Sequence, residues 1–200
     1  MSYYQVLENP KIKLKDIELK NFIDYGLYQY PTNRAFAKIK SDEFVFEKTF
    51  REFTDFDGEI RTKTTLYLTY VTDKFAYGSQ PHLDVTSCIA THVMPINKID
   101  TGKLIFYDDN SIDFYYKKIM YQLIKEEPEQ KYIDEWNEIK KNDFDFNKLF
   151  SFDMNKNNSV IFKNSLKSWH GVEKTNHDRL VLITTYHKKN ERCKFGDYCT

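Results

Sequence analysis

Cysteine is scarce in this chain. Three residues in 200, Cys88, Cys193 and Cys199, make no disulfide framework. Cys88 stands in an apolar run and reads as a core thiol. Cys193 and Cys199 are expected to stay reduced, since cytosolic thiols do so by default. Long hydrophobic runs are absent as well. None approaches the ~18 residues of a membrane span, and the opening M-S-Y-Y-Q-V-L-E-N-P has no signal-peptide pattern. The expectation is a soluble, cytoplasmic protein with no membrane partner. Nor does one sign of charge prevail: thirty basic and thirty acidic residues cancel. That balance gives no global attraction to nucleic acid, and the basic end with Lys188, Lys189, Arg192 and Lys194 reads as a solvated tail. No repeat, linker or low-complexity boundary divides the chain, so one domain is expected over residues 1–200.

What is present is apolar and aromatic material sufficient for a full core. The strongest strand signal is T-T-L-Y-L-T-Y-V-T, residues 64–72, rich in β-branched and aromatic side chains. K-L-I-F-Y (103–107), S-V-I-F-K-N-S (159–165) and R-L-V-L-I-T-T-Y (179–186) read as further strands. The last two look like antiparallel neighbours. Residues 78–97 read as a loop entering a long β-type run, and Thr101-Gly102 as a turn. Asp57-Gly58 reads as a hairpin turn. Asp16, Ile17, Leu19, Phe22, Ile23 and Gly26 predict a short N-terminal helix with a cap and a stop. Residues 36–54 fit neither period. Beyond Phe114 the pattern changes to two short helices broken near Pro128, and residues 141–158 read as a loop or lid. The expected layout is an N-terminal support region over 1–60 and a β core over 64–186. A helical insert over 114–158 interrupts that core and is the expected seat of substrate selection.

His82 and Asp84 lie two apart, so on a strand both project from one face. With His170 from a later strand they make a 2-His-1-carboxylate set. Such a set occupies one face of an octahedral Fe(II) and leaves positions open. Arg179 shares a strand face with Val181, Ile183 and Thr185. A cation on an otherwise apolar face needs a partner, and a carboxylate suits its forked geometry. Of the other histidines, His92 reads as a satisfied structural residue on a strand, His177 as part of a turn with Asn176 and Asp178, and His187 as a strand end. Trp169, next to His170, points to the opposite face and into a second layer.

The ordered set P-H-L-D, T-G-K-L-I-F-Y, S-W-H-G-V and Arg179 resembles the 2-oxoglutarate/Fe(II)-dependent oxygenases, in particular their prolyl-hydroxylase-like branch. The resemblance covers about residues 64–186 without the insert. It implies a mainly β fold with flanking helices, a double-stranded β-helix or jelly roll. It also implies Fe(II) on His82, Asp84 and His170, and 2-oxoglutarate as cosubstrate with its distal carboxylate on Arg179. O2 would be the oxidant, with ascorbate in a supporting role. Leu104 matches a position lining the cosubstrate pocket, and Thr91, Tyr67 or Tyr70 would offer it a hydroxyl. The implied reaction hydroxylates a C–H bond and releases succinate and CO2. The substrate would be a protein residue, prolyl or otherwise, or an amino-acid-type small molecule.

Three positions narrow the reading. Val181 stands where the family often has serine, removing one hydroxyl contact to the cosubstrate. Thr185 stands where nucleic-acid demethylases carry a second arginine, which with the neutral charge argues against a nucleic-acid substrate. Asp84 excludes a halogenase, which needs that position vacant for a halide. The alternative reading is a cupin-like jelly roll that binds a metal or ligand without oxygenase activity. Arg179 discriminates, because such a protein has no use for a buried cation facing its metal.

Overall fold

The computed structural model describes residues 3–8, 34–39, 46–69, 77–84, 87–96, 102–125, 128–139, 141–142, 144–153, 158–175 and 179–189. Ten strands and three α-helices are seen among them: β1 Tyr4–Glu8, β2 Arg34–Ile39, α1 Glu47–Thr54, β3 Ile60–Thr69, β4 Tyr77–His82, β5 Cys88–Pro95, β6 Lys103–Tyr107, α2 Phe114–Leu123, α3 Gln130–Ile139, β7 Lys148–Asp153, β8 Asn158–Lys163, β9 His170–Thr175 and β10 Arg179–Lys188. They form two antiparallel sheets, ordered β1-β8-β5-β10-β3-β2 and β4-β9-β6-β7. From β3 onward the chain passes between the sheets, and sequence neighbours seldom pair. That winding defines the jelly roll. No helix among the described residues is long and apolar enough to cross a membrane.

Period-two alternation builds three apolar layers from these sheets. Inward side chains (Val93, Val160, Phe162 and Val181 from the larger sheet; Leu104, Phe106, Phe152 and Val172 from the smaller) fill the space between them. The outer face of the larger sheet is covered by α1. There the fully buried Phe50 stacks on Tyr186 with ring centroids 4.4 Å apart. The outer face of the smaller sheet is covered by α2 and α3, whose Tyr116, Ile119, Met120 and Trp136 pack with Ile105, Tyr107 and Trp169. Helix α2 starts where Asp113 accepts hydrogen bonds from the backbone N–H groups of Tyr115 and Tyr116, a side-chain N-cap.

Several expectations change here. β8 and β10 are not neighbours, because β5 lies between them and pairs antiparallel with both. Successive segments of a jelly roll alternate between sheets, so adjacency along the chain misleads. Asp57-Gly58 is no hairpin: it joins α1 to β3. Residues 148–153 are not a lid but strand β7, paired with β6, and the helical insert therefore ends before Lys148. The ambiguous stretch 36–54 holds most of β2 and all of α1. The long run over 78–97 divides into β4 and β5. Gly102 takes a left-handed φ of 83° just before β6, at the turn expected with Thr101. The predicted N-terminal helix over 16–26, Tyr70, the 176–178 turn, Thr101, Cys193 and Cys199 lie outside the described residues.

Candidate metal centre

The two sheets meet the candidate site at one end of the sandwich. β4 ends there at His82 and β9 begins there at His170, and the two residues are register partners on neighbouring strands. Alternation carries past the end of β4. Leu83 turns outward into the helical layer and is buried, which returns Asp84 to the side of His82. Just before β9, Trp169 likewise faces the helices, while His170 at its start faces inward and is 5% exposed. The helical layer holds this end in place: the Tyr116 hydroxyl donates to the Pro81 carbonyl at 2.6 Å, and the Trp169 indole N–H donates to Asp109 at 2.9 Å.

His82, Asp84 and His170 each bring a ligand atom to within 4.8 Å of the others. Their remaining polar atoms are already engaged. Nδ1 of His82 lies 2.9 Å from the Gln80 carbonyl, and Nδ1 of His170 lies 2.9 Å from the Ser168 carbonyl. A carbonyl only accepts, so each Nδ1 carries a proton and Nε2 is the ring nitrogen that a metal would take. Metal-bound histidines are oriented in this way. Oδ2 of Asp84 accepts from the Thr91 hydroxyl at 2.6 Å, and Oδ1 lies 3.8 Å from Nε2 of His170. Donors at right angles about an ion with ~2.1 Å bonds sit about 3 Å apart. The pair would need to close by less than an ångström. Burial alone would raise the Asp84 pKa, but the two histidines and the Thr91 hydrogen bond outweigh it and hold the carboxyl below its ordinary value. Two imidazoles and one carboxylate, each offering one ligand atom, fit a divalent first-row metal.

Arg179, at the start of β10, is 2% exposed. It shares its strand face with Val181, which belongs to the core between the sheets, and with Ile183, which packs against that core. The same face carries Thr185, six residues or about 20 Å further along. Thr185 is the register partner of Thr91. Alternation therefore turns Arg179 and Thr91 to the same inward face of the larger sheet, well separated along β10. Leu104 is buried in the core between the sheets and pairs with Val172 of β9. Tyr67, opposite Val181, packs against the same core. Thr91 is directed at Asp84.

His92 faces the other way. It is 2% exposed under α1, with Nε2 2.8 Å from the Ser159 hydroxyl and its ring 5.2 Å from that of Phe46. Burial pushes its pKa down to about 4. His187 is lowered to about 4 as well, by burial and then by the Arg61 charge. It contacts Ser87 and Thr185. A depressed histidine stabilises the fold fully above its unfolded pKa near 6.5, and that contribution is lost as pH falls towards 4. We expect urea-unfolding stability to drop by about 3 kcal/mol from His92 alone between pH 6.5 and 4. His92→Gln should flatten that slope. An unchanged slope would assign the loss to other groups.

No protein-family model matches the chain, and no curated protein matches its sequence. Solved structures do share its fold. A prolyl-4-hydroxylase from Pseudomonas putida is 11% identical with a TM-score of 0.50, over 80% of this chain and 74% of that one. An oxidoreductase of the 2OG-Fe(II) oxygenase family from Burkholderia pseudomallei is 10% identical with a TM-score of 0.49, over 84% and 77%. A prolyl hydroxylase from Trichoplax adhaerens, solved with a peptide of the hypoxia inducible factor oxygen degradation domain, is 15% identical with a TM-score of 0.45, over 80% and 65%. The double-stranded β-helix with flanking helices expected from the sequence is the fold observed, and the Pseudomonas putida prolyl-4-hydroxylase shares it.

Sequence reasoning missed what holds the metal group in place. The carbonyls of Gln80 and Ser168 are backbone atoms and leave no trace in residue type. Thr91 was visible as a hydroxyl on the right strand, but its partner was not. The hint was period two: in β5, Thr91 shares its face with Val93, which lies in the interior, whereas His92 does not.

Proposed function

We propose that this chain is a 2-oxoglutarate- and O2-dependent non-haem Fe(II) oxygenase that hydroxylates an unactivated C–H bond and releases succinate and CO2. The observation that carries the reading is the pairing of two features: a 2-His-1-carboxylate group whose donor atoms converge, and a buried arginine on the inward face of the facing sheet. A metal-binding jelly roll without oxygenase chemistry needs only the first.

His82, Asp84 and His170 would hold Fe(II) through two Nε2 atoms and Oδ1 of Asp84. When bound, the metal supplies the redox chemistry that couples O2 and the keto acid to C–H hydroxylation. The chain's own groups set the conditions. The Gln80 and Ser168 carbonyls fix the imidazole tautomers, and Arg179 would bind the distal carboxylate of 2-oxoglutarate and orient its keto acid towards the metal end. Leu104, Val172 and Val181 keep the intervening space apolar, which strengthens the ion pair at Arg179. Tyr67 borders the same space, and Tyr70 is retained as a cosubstrate contact from the resemblance. Ascorbate would serve as a supporting reductant.

The substrate class follows from the prolyl-hydroxylase-like pattern: a prolyl or similar residue in a protein, or an amino-acid-type small molecule, in the cytoplasm. The experiment is conversion of 2-oxoglutarate to succinate by Fe(II)-loaded protein under air, with and without prolyl peptides and free amino acids. Succinate that requires both metal and O2, and rises with one substrate class, supports the reading. Its absence in fully metal-loaded, 2-oxoglutarate-bound protein would overturn it.

A further inference from the structure

We infer that Thr91 is a positioning residue that restricts Asp84 to a single metal-binding oxygen, and that it is not a cosubstrate contact. The inference rests on the metal-centre reading above and concerns how this chain holds its carboxylate.

Asp84 lies beyond the last residue of β4, so no sheet ladder fixes its backbone. Its direction depends on its side-chain partners. Thr91 sits mid-strand in β5, which is paired on both sides, with β8 and with β10. Strands laddered on both edges are the last to open in a sheet. The 2.6 Å hydrogen bond thus ties a ligand on a loop to a rigid strand of the facing sheet. It is short because the acceptor is charged.

Proton count decides the second half of the inference. A threonine hydroxyl has one hydrogen to donate. Here it goes to Oδ2 of Asp84, while Cys88 Sγ stands 3.6 Å from the Thr91 hydroxyl oxygen itself. A carboxylate cosubstrate offers only acceptors, so Thr91 cannot serve it while holding Asp84. With Oδ2 occupied, Oδ1 is the oxygen left facing Nε2 of His170. Single-oxygen ligation keeps open the positions that a two-oxygen cosubstrate and O2 require.

Thr185 backs this arrangement. It is the cross-strand partner of Thr91 on the same face, and its own hydroxyl lies 2.9 Å from Nε2 of His187. Its hydroxyl is engaged with His187, which leaves Thr91 as the group from β5 and β10 that hydrogen-bonds the carboxylate, with the Asn164 side chain approaching it from the end of β8.

The test uses Co(II) as a spectroscopic probe, titrated anaerobically into the metal-free full-length chain. Wild type, Thr91→Val, Thr91→Ser and Asp84→Ala are compared, with circular dichroism and thermal melting of each metal-free protein as a control on folding. Thr91→Val should bind Co(II) 10- to 100-fold more weakly, the usual cost of removing a partner of a metal ligand. Thr91→Ser, which restores the hydroxyl, should return the affinity to near wild type. Equal Co(II) affinity in wild type and Thr91→Val would overturn the inference, as would a Thr91→Ser protein no better than Thr91→Val. Asp84→Ala separates the two claims. If it binds Co(II) as wild type does, the metal-centre reading itself fails; if it does not bind and Thr91→Val does, only the role of Thr91 is lost.

Discussion

Asp84→Ala is expected to lose more than about 100-fold in Fe(II) affinity and all succinate formation, while the metal-free protein still folds. The size follows from the donor set. Losing a partner behind a ligand costs 10- to 100-fold, and Asp84 is itself a ligand and the single anion of the group. The fold survives because the carboxylate stabilises the site more than the core. It lies in a loop, its burial opposes its charge, and the histidines offset that opposition. Replacing it with a methyl group removes the desolvated charge along with its attraction to them. Isothermal titration of the metal-free variant with Fe(II) under anaerobic conditions, beside a thermal melt, checks both halves. A variant that binds Fe(II) normally would remove Asp84 from the site.

The second large effect belongs to Arg179. Arg179→Met keeps an unbranched side chain of similar reach between the sheets and deletes the guanidinium. Leaving one member of a buried ion pair unpartnered costs about 3–5 kcal/mol. The dissociation constant for 2-oxoglutarate should therefore rise by roughly two to four orders of magnitude. Fe(II) affinity should stay at the wild-type level, since Arg179 and Thr185 stand at opposite ends of β10 and only Thr185 pairs with Asp84's partner. The split separates two roles. A purely structural arginine would shift the melting temperature and leave 2-oxoglutarate affinity alone.

How much of this was legible in the sequence differs from element to element. β3, β6 and β10 announce themselves through β-branched and aromatic runs, because their residues are buried on one or both faces. β1 does not: it is a five-residue edge strand whose Tyr3 flank and Val6 are half-exposed, so no alternation survives. β7 hides for another reason. Phe150 and Phe152 alternate as a strand should, but lysine, asparagine and aspartate on either side read as a loop. The misassigned neighbours β8 and β10 show a further limit, since strand order in a jelly roll is set by long-range winding that local pattern does not encode.

At the site, side-chain identity was readable and its support was not. His82 and Asp84 share a face by their spacing, and His170 precedes an alternating run, so their types and intervals are local facts. That Thr91 spends its hydrogen on Asp84 depends on β5 crossing opposite a loop residue seven positions earlier, which only the folded chain displays. The lowered pKa of His92 depends likewise on α1 closing over the outer sheet face.

The most direct test of the central claim is anaerobic addition of Fe(II) and then 2-oxoglutarate to metal-free protein, followed by visible absorption. A metal-to-ligand charge-transfer band that forms in wild type, fails to form in Asp84→Ala and demands far more 2-oxoglutarate in Arg179→Met is the result this account predicts. Wild-type protein that binds Fe(II) but forms no band at any 2-oxoglutarate concentration would contradict it, leaving a metal-binding jelly roll that is not an oxygenase.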